Sequence, residues 1–275
     1  MIRLGLIGFG NIAASLLELL SENLDKELEH LTIFCKPEYC SQVEQKLQNE
    51  YTNIALDFCI TTNIDDLINS KPNLVVECAG HNAVEENVIH VLSSGIDTVV
   101  ISVGALSDTA LAESINQAAI QGNARLILPA GAIGGIDLLA SLKKFGDLAV
   151  SYRGIKPSSA WAGTSAASNI DLNAISEPTT IFSGSAREAA QKYPKNANVA
   201  ATIAMAGAGF DKTKAELIAD PNATANIHEY TVNCPLASYT IRIEGKPSKG
   251  NAKTSATTVY SIMREISNCI GPIVI

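Results

Sequence analysis

The chain has 275 residues, enough for one large or two modest domains around a real core. Apolar residues make up 47% and charged residues 17%, which excludes a disordered or fibrous chain. The net charge of −8 argues against the basic stripe of a nucleic-acid surface, yet an acidic protein can still hold a locally positive pocket for a small anion.

The first half alternates short apolar runs with helical patterns. IRLGLIG reads as a strand, and NIAASLLELLSENL has its apolar residues at helical spacing. HLTIFC is a strand, and PEYCSQVEQKLQNE is a helix opened by Pro37 at its first position. IDDLINS is a short helix, PNLVVECA a strand, and NAVEENVIHVLSSG a helix stopped by Gly95. DTVVISV is a strand. SDTALAESINQAAIQG is a helix with Ser107 as its N-cap and Gly122 as its stop, and ARLILPA is another strand. Strands rich in Val, Ile and Leu on both faces, separated by helices, imply a parallel sheet covered on both sides.

The rhythm changes after about residue 145. AVSYRGIKP, TTIFSG, AELIAD, NIHEYTV and ASYTIRIEG read as strands, several joined only by turns, which implies a mostly antiparallel sheet. SAREAAQKYP and NVAATIAMAGAGF are helices among them, and the tail NAKTSATTVYSIMREISNCI is helical again. The expected architecture is α/β: an N-terminal Rossmann-type, doubly wound parallel sheet over residues 1–130, completed by 251–275, and a second α/β domain over 131–250.

The opening MIRLGLIGFG reaches glycines too soon for a signal peptide. The most apolar long window, LILPAGAIGGIDLLASL, is broken by Pro129, Asp137 and glycines, and reads as buried loop and helix rather than a membrane span. The six cysteines form no CxxC pair and are expected to be free thiols, so the expected compartment is the cytoplasm.

GLIGFGNIAASLL places Gly8, Gly10 and Ala13 as GxGxxA directly after a strand and opening a helix. Gly8 permits the tight turn, Gly10 leaves room for a pyrophosphate, and Ala13 lets helix and strand approach. The helix start at Asn11 and Ile12 offers N–H groups and a partial positive charge to phosphates. The acid expected about 20 residues on, to bind a ribose, is missing. Lys36 stands there instead, which leaves NADP open beside NAD. Small residues ending later strands, Ala79 and Gly80 in VVECAGHNAV and Gly104 in ISVGAL, lie where a cofactor passes in such sheets. His81 follows them and reads as a surface residue or a group reaching the same crevice; His30 and His90 read as surface or helix-face residues.

PAGAIGG is a second glycine-rich turn into a helix, for close packing or for backbone approach to a nicotinamide. WAGTSAAS offers the hydroxyls of Thr164 and Ser165, which either satisfy their own backbone or bind a carboxylate. NAKTSATT places Lys253, Thr254 and Ser255 at a helix start, as a cap or an anion site. Histidines and acids do not cluster at metal-ligand spacing, and no metal is expected. Only His228, in NIHEYTV, lies beyond the first third of the chain, and on its own it reads as an ordinary buried polar residue.

Together these stretches resemble the L-aspartate dehydrogenase family along nearly the whole chain. The most specific block runs from Phe182 to Val232, through NANVAAT and the ADP turn to NIHE. The resemblance implies a Rossmann cofactor domain, a second domain shaped like that of dihydrodipicolinate reductases, and a homodimer. It implies reversible oxidative deamination of L-aspartate to oxaloacetate and ammonia, by way of iminoaspartate, with NAD or NADP. The family's catalytic histidine falls on His228, as a proton-transfer or substrate-orienting group, and cofactor contacts fall on Ala132 and Asn198. Thr164, Ser165 and Lys253 are then candidates for binding the substrate carboxylates. The rivals are another NAD(P)-dependent reductase of the same fold, of dihydrodipicolinate reductase or homoserine dehydrogenase type, and a non-catalytic NAD(P) redox sensor. The HHxxKxDxPSGT run of dihydrodipicolinate reductases is absent, and a sensor has no need of His228.

Overall fold

The computed structural model describes residues 2–23, 27–164, 170–172, 174–248 and 251–275, with the backbone alone at 247, 248 and 251–254. The chain forms two compact units. One comprises Met1–Pro129 with Val259–Ile275, the other Ala130–Thr258.

The first unit is built on six strands: β1 (Arg3–Ile7), β2 (His30–Phe34), β3 (Phe58–Thr61), β4 (Leu74–Glu77), β5 (Asp97–Val100) and β6 (Leu126–Ile127). All are parallel, in the order β3-β2-β1-β4-β5-β6, which is the doubly wound dinucleotide-binding order. Alternate residues of each strand serve opposite faces. Leu4, Leu6, Leu31, Ile33, Leu74 and Val76 pack on one face against α1 (Asn11–Asn23), α2 (Pro37–Glu50) and the C-terminal α10 (Ala256–Ile270). Ile7 and Val75 pack on the other against Leu67 of α3 (Ile64–Asn69) and Val91. Each such Leu or Ile contributes roughly 1.5–3 kcal/mol on burial, so the two apolar faces drive the layered arrangement.

The elements differ from expectation in a few places, each for a local reason. β3 was not expected; its Phe58, Cys59 and Ile60 are only partly buried, as an edge strand's residues are. The run after Gly80 is not one uniform helix. It begins as α4 (His81–Ala83), widens to a π-turn over Val84–Val88 and resumes as α5 (Ile89–Ser93). There the buried Asn87 amide donates to the Ala83 carbonyl, at 3.1 Å. Val103–Ser107, the end of ISVGAL and the serine after it, forms a 3-10 turn that absorbs Ser107. Asp108 therefore caps α6 (Thr109–Gly122), its Oδ1 accepting from the Leu111 N–H at 3.0 Å. Gly122 is the last residue of α6, as expected, but it does not supply the left-handed turn. Asn123 ends α6 in the left-handed conformation, at φ 52°.

The second unit holds β7 (Ala149–Pro157), β8 (Thr179–Ser185), β9 (Lys214–Asp220), β10 (Asn226–Cys234) and β11 (Ala237–Gly245), in the order β11-β10-β7-β9-β8. Only β7 and β9 run parallel, so the sheet is mostly antiparallel. One face carries Val150, Tyr152, Gly154, Lys156, His228, Tyr230 and Val232 and is buried; helices α7 (Ile136–Leu142), α8 (Ala186–Lys192) and α9 (Asn198–Ala206) complete the unit. On the opposite face Glu216, Arg153, Glu229 and Arg242 form a cross-strand series of ion pairs at 3.5, 3.3 and 3.2 Å. Exposed pairs of this kind are worth little each, about 0–1 kcal/mol, but opposite signs at facing positions favour this register. The tail departs from expectation: Asn251–Ser255, with Lys253, forms a short strand, β13, paired with β12 (Pro247–Ser248), and the helix starts at Ala256. Lys253 and Thr254 thus precede the helix rather than open it.

Among the described residues no helix is long and apolar enough to cross a membrane, and no group of His, Cys, Asp or Glu is placed to hold a metal.

Gly122 owes its identity to the packing of α5 against α6. A β-carbon there would lie 1.9 Å from the Leu92 carbonyl oxygen and 2.9 Å from its carbon, both backbone atoms. Glycine-to-alanine in a helix ordinarily stabilises by about 1 kcal/mol. Here Gly122→Ala is expected to destabilise by roughly 1–3 kcal/mol through overpacking, read from urea denaturation. A gain in stability would contradict the close approach.

Candidate active site

The first unit offers a phosphate cradle. Gly8 follows β1 at φ +93°, and a β-carbon on it would lie 2.5 Å from that of Ala79. The turn out of β1 and the end of β4 are therefore in direct backbone contact, which only glycine allows at position 8. Above Gly10 nothing lies within 4 Å of where a β-carbon would project. That open space meets the start of α1, where Asn11 and Ile12 stand in the first turn, whose N–H groups find no acceptor within a helix. Ala13 is fully buried between helix and sheet. These residues fit a dinucleotide pyrophosphate in form and charge.

The ends of β4 and β5 are fastened by Glu77, a residue the sequence reading passed over. Its side chain is completely buried. Oε1 accepts from the Ala79 and Gly80 N–H groups, each at 2.8 Å, and from the Ser102 hydroxyl at 3.0 Å; Oε2 accepts from the Ser102 N–H at 3.1 Å. Burial raises the carboxyl above its usual range, although these four hydrogen bonds pull the other way. Glu77 thus sets the path of the Ala79–Gly80 and Ser102–Gly104 backbone, the residues expected to line the cofactor. Gly80 itself has φ +122°. His81 begins the helix beyond it, half-buried. Lys36 is exposed at the end of β2, in extended conformation as the N-cap of α2.

The second unit gathers a different set of groups. His228 is 4% exposed on β10. Its Nδ1 lies 2.8 Å from the hydroxyl of Tyr152, itself buried on β7. Lys156, two positions beyond Gly154 on the same face of β7, is 6% exposed. Its ammonium donates to Asn196 Oδ1 at 3.1 Å and lies 5.6 Å from the centre of the Trp161 ring. Among the described residues no carboxylate pairs with it. Burial pulls the lysine down to about 8. It also pulls the His228 imidazole down to about 3, with the nearby Lys156 charge adding to the effect. His228 is therefore neutral at neutral pH, and Lys156 is mainly charged.

The other candidates of this unit are more dispersed. Asn198 opens α9, and Ala132 is buried in the turn after Gly131. That turn is glycine-rich for packing: the Tyr230 hydroxyl donates to the carbonyls of Gly134 and Gly135, at 3.0 and 3.1 Å. A β-carbon on Gly135 would lie 2.2 Å from Ile241 Cδ1. The Thr164 hydroxyl donates to the Trp161 carbonyl at 2.7 Å, the local backbone bond common to such loops. Ser165 lies outside the described residues, as does the side chain of Lys253. Tyr152 and Lys156 were missed by the sequence reading. Their signal was the alternation of AVSYRGIKP, which puts a lysine in line with Val150 and Tyr152 on the buried face.

The depressed imidazole has a consequence for stability. Between about pH 6.5 and about pH 3 the unfolded chain binds a proton at His228 that the folded chain refuses. The contribution is thus fully present above that window and is lost as pH falls through it. Relative to His228→Asn, the wild type is expected to lose up to about 1.4 kcal/mol per pH unit in that range, measured by denaturant unfolding. Parallel pH profiles for the two proteins would contradict a buried, neutral His228.

Comparison with known proteins agrees with both halves of this description. Residues 8–129 match the family model "Homoserine dehydrogenase, NAD binding domain", and residues 137–269 match "Aspartate dehydrogenase, C-terminal". The chain is 40% identical to an L-aspartate dehydrogenase of Cupriavidus necator over 268 residues, covering 98% of this chain and 97% of the relative. It is 41% identical to one from Pseudomonas aeruginosa, with the same coverage. The crystal structure of aspartate dehydrogenase from Thermotoga maritima superposes with a TM-score of 0.73 at 28% identity, covering 100% of this chain and 99% of that one. A cofactor cradle in one unit, a buried histidine in the other and full-length similarity of this degree lead to one conclusion: the chain belongs to the L-aspartate dehydrogenase family and is an NAD(P)-dependent amino-acid dehydrogenase.

Proposed function

We propose that this protein catalyses the reversible deamination of L-aspartate to oxaloacetate and ammonia through iminoaspartate, with His228 as its catalytic acid/base. The observation that carries the reading is the pairing of a buried, neutral imidazole with a buried ammonium, Lys156, that has no carboxylate partner among the described residues. An unpaired buried cation is costly, and a dicarboxylate substrate supplies the missing charge.

When bound, the nicotinamide takes the hydride from Cα of the amino acid. Gly8, Gly10, Asn11 and Ile12 hold the pyrophosphate by backbone approach and helix N–H groups, and Ala79, Gly80 and Gly104 line the strand ends beside it. Ala132 and Asn198 are the cofactor contacts proposed in the second unit. His228 exchanges the proton of the water that adds to, or leaves, the imine carbon. The negative charge of a bound dicarboxylate opposes the desolvation that keeps the imidazole neutral, and so brings its pKa back toward the range of proton exchange. Thr164, Ser165 and Lys253 remain proposed carboxylate ligands, with Lys156 as the added cation. A homodimer in the cytoplasm completes the reading, on the strength of the family resemblance.

The test is a substrate panel in the oxidative direction, following reduced nicotinamide with L-aspartate, L-malate and L-homoserine. L-Aspartate is expected to give the highest kcat/KM, and His228→Ala to lower turnover by roughly 10²- to 10⁴-fold while leaving cofactor affinity nearly intact. Preference for a hydroxy acid, or full turnover without His228, would overturn the assignment.

A further inference from the structure

His228 and Tyr152 stand diagonally on neighbouring antiparallel strands, and Gly154 faces His228 directly across the ladder. A β-carbon on Gly154 would lie 2.5 Å from the Tyr152 hydroxyl oxygen. The missing side chain leaves the seat from which the phenol reaches Nδ1 of His228. The two rings lie 15° from parallel, with centroids 6.1 Å apart.

Where an imidazole carries its proton is decided by what its two nitrogens meet. Among the described residues the Tyr152 hydroxyl meets only Nδ1. Were the neutral ring protonated on Nδ1, that N–H would donate to the phenol oxygen. The phenol proton would then be buried without an acceptor, a costly arrangement. With the phenol donating, the phenol proton and Nδ1 are both paired and the ring proton sits on Nε2, the nitrogen left for a ligand. Burial raises the phenol and lowers the imidazole, so neither ionises near neutral pH in the free protein. When the ring gains a proton, the hydroxyl turns and accepts from Nδ1–H instead. The phenol proton then loses its acceptor, so this state forms only where the charge of a bound anion favours the imidazolium.

We propose that Tyr152 is a positioning residue for His228: its hydroxyl donates to Nδ1 of the resting ring, whose proton sits on Nε2, and accepts from Nδ1–H once bound substrate has made the ring an imidazolium, so that the Nε2 proton is the one given to the leaving hydroxyl in the reductive direction and taken back there in the oxidative one. This rests on the reading of His228 as the catalytic group. Lysine and asparagine neighbours do not perform this task, because the ammonium of Lys156 is turned to Asn196 and Trp161.

The test is nitrogen NMR of the full chain labelled with ¹⁵N-histidine, with His228 assigned from a His228→Asn spectrum. In the wild type at neutral pH, Nδ1 is expected to be bare and Nε2 protonated. In Tyr152→Phe, which keeps the ring and loses only the hydroxyl, the proton is no longer confined to Nε2. Its kcat is expected to fall roughly ten- to hundredfold with the KM for NAD(P)H unchanged. A protonated Nδ1 in the wild type overturns the proposal, and so do unchanged nitrogen signals in Tyr152→Phe, whatever its turnover. Full turnover of His228→Ala would instead overturn the catalytic reading of His228 and leave the nitrogen assignment standing.

Discussion

An ionisable group taken out of water must find partners among fixed neighbours, and three such groups organise this molecule. Glu77 is answered by three backbone N–H groups and a hydroxyl. Lys156 is answered by one amide oxygen and an aromatic face, and His228 by one phenol. The degree of satisfaction differs, and the difference separates scaffold from chemistry. Four hydrogen bonds fix the ends of β4 and β5 in one path, as a cofactor platform requires. A lone ammonium and an imidazole with one occupied nitrogen retain capacity for a ligand.

Glycines do complementary work where backbones must meet. Gly8 brings the turn after β1 against Ala79, Gly122 brings α6 onto the end of α5, and Gly154 vacates the seat of the Tyr152 hydroxyl. Each replaces a side chain by an approach that no other residue permits, yet the consequences differ: a cradle, a helix contact and an aligned imidazole. Leu and Ile burial on both faces of the parallel sheet supplies the driving force, while these close contacts decide the geometry.

Much of this was legible in the sequence because it is periodic or local. Strand–helix alternation gave the parallel sheet, and GxGxxA in a strand–turn–helix context pointed to the cradle around Gly8 and Gly10. Pro37 and Gly95 marked helix ends where they were expected. What escaped was non-local. Ser107 looked like a cap until a 3-10 turn took it up and left the role to Asp108. Gly122 is the helix stop it looked like, although the cause of the glycine is Leu92, thirty positions away in the chain and adjacent only after folding. Glu77 read as an ordinary strand end, and nothing local announces that its carboxylate turns inward. Tyr152 became visible only through its cross-strand relation to His228. The role of His228 itself came from family resemblance, because a buried histidine on a strand is by itself an ordinary residue.

The central claim, that the protein joins an amino group to a dicarboxylic keto acid by way of a nicotinamide, is tested most directly by mixing purified protein with oxaloacetate, ammonium and NADH or NADPH. The near-ultraviolet absorbance of the reduced nicotinamide is then followed. The account predicts a loss of absorbance that depends on ammonium, with L-aspartate as the product. Loss without ammonium, or none with either cofactor in protein that binds it, would contradict it.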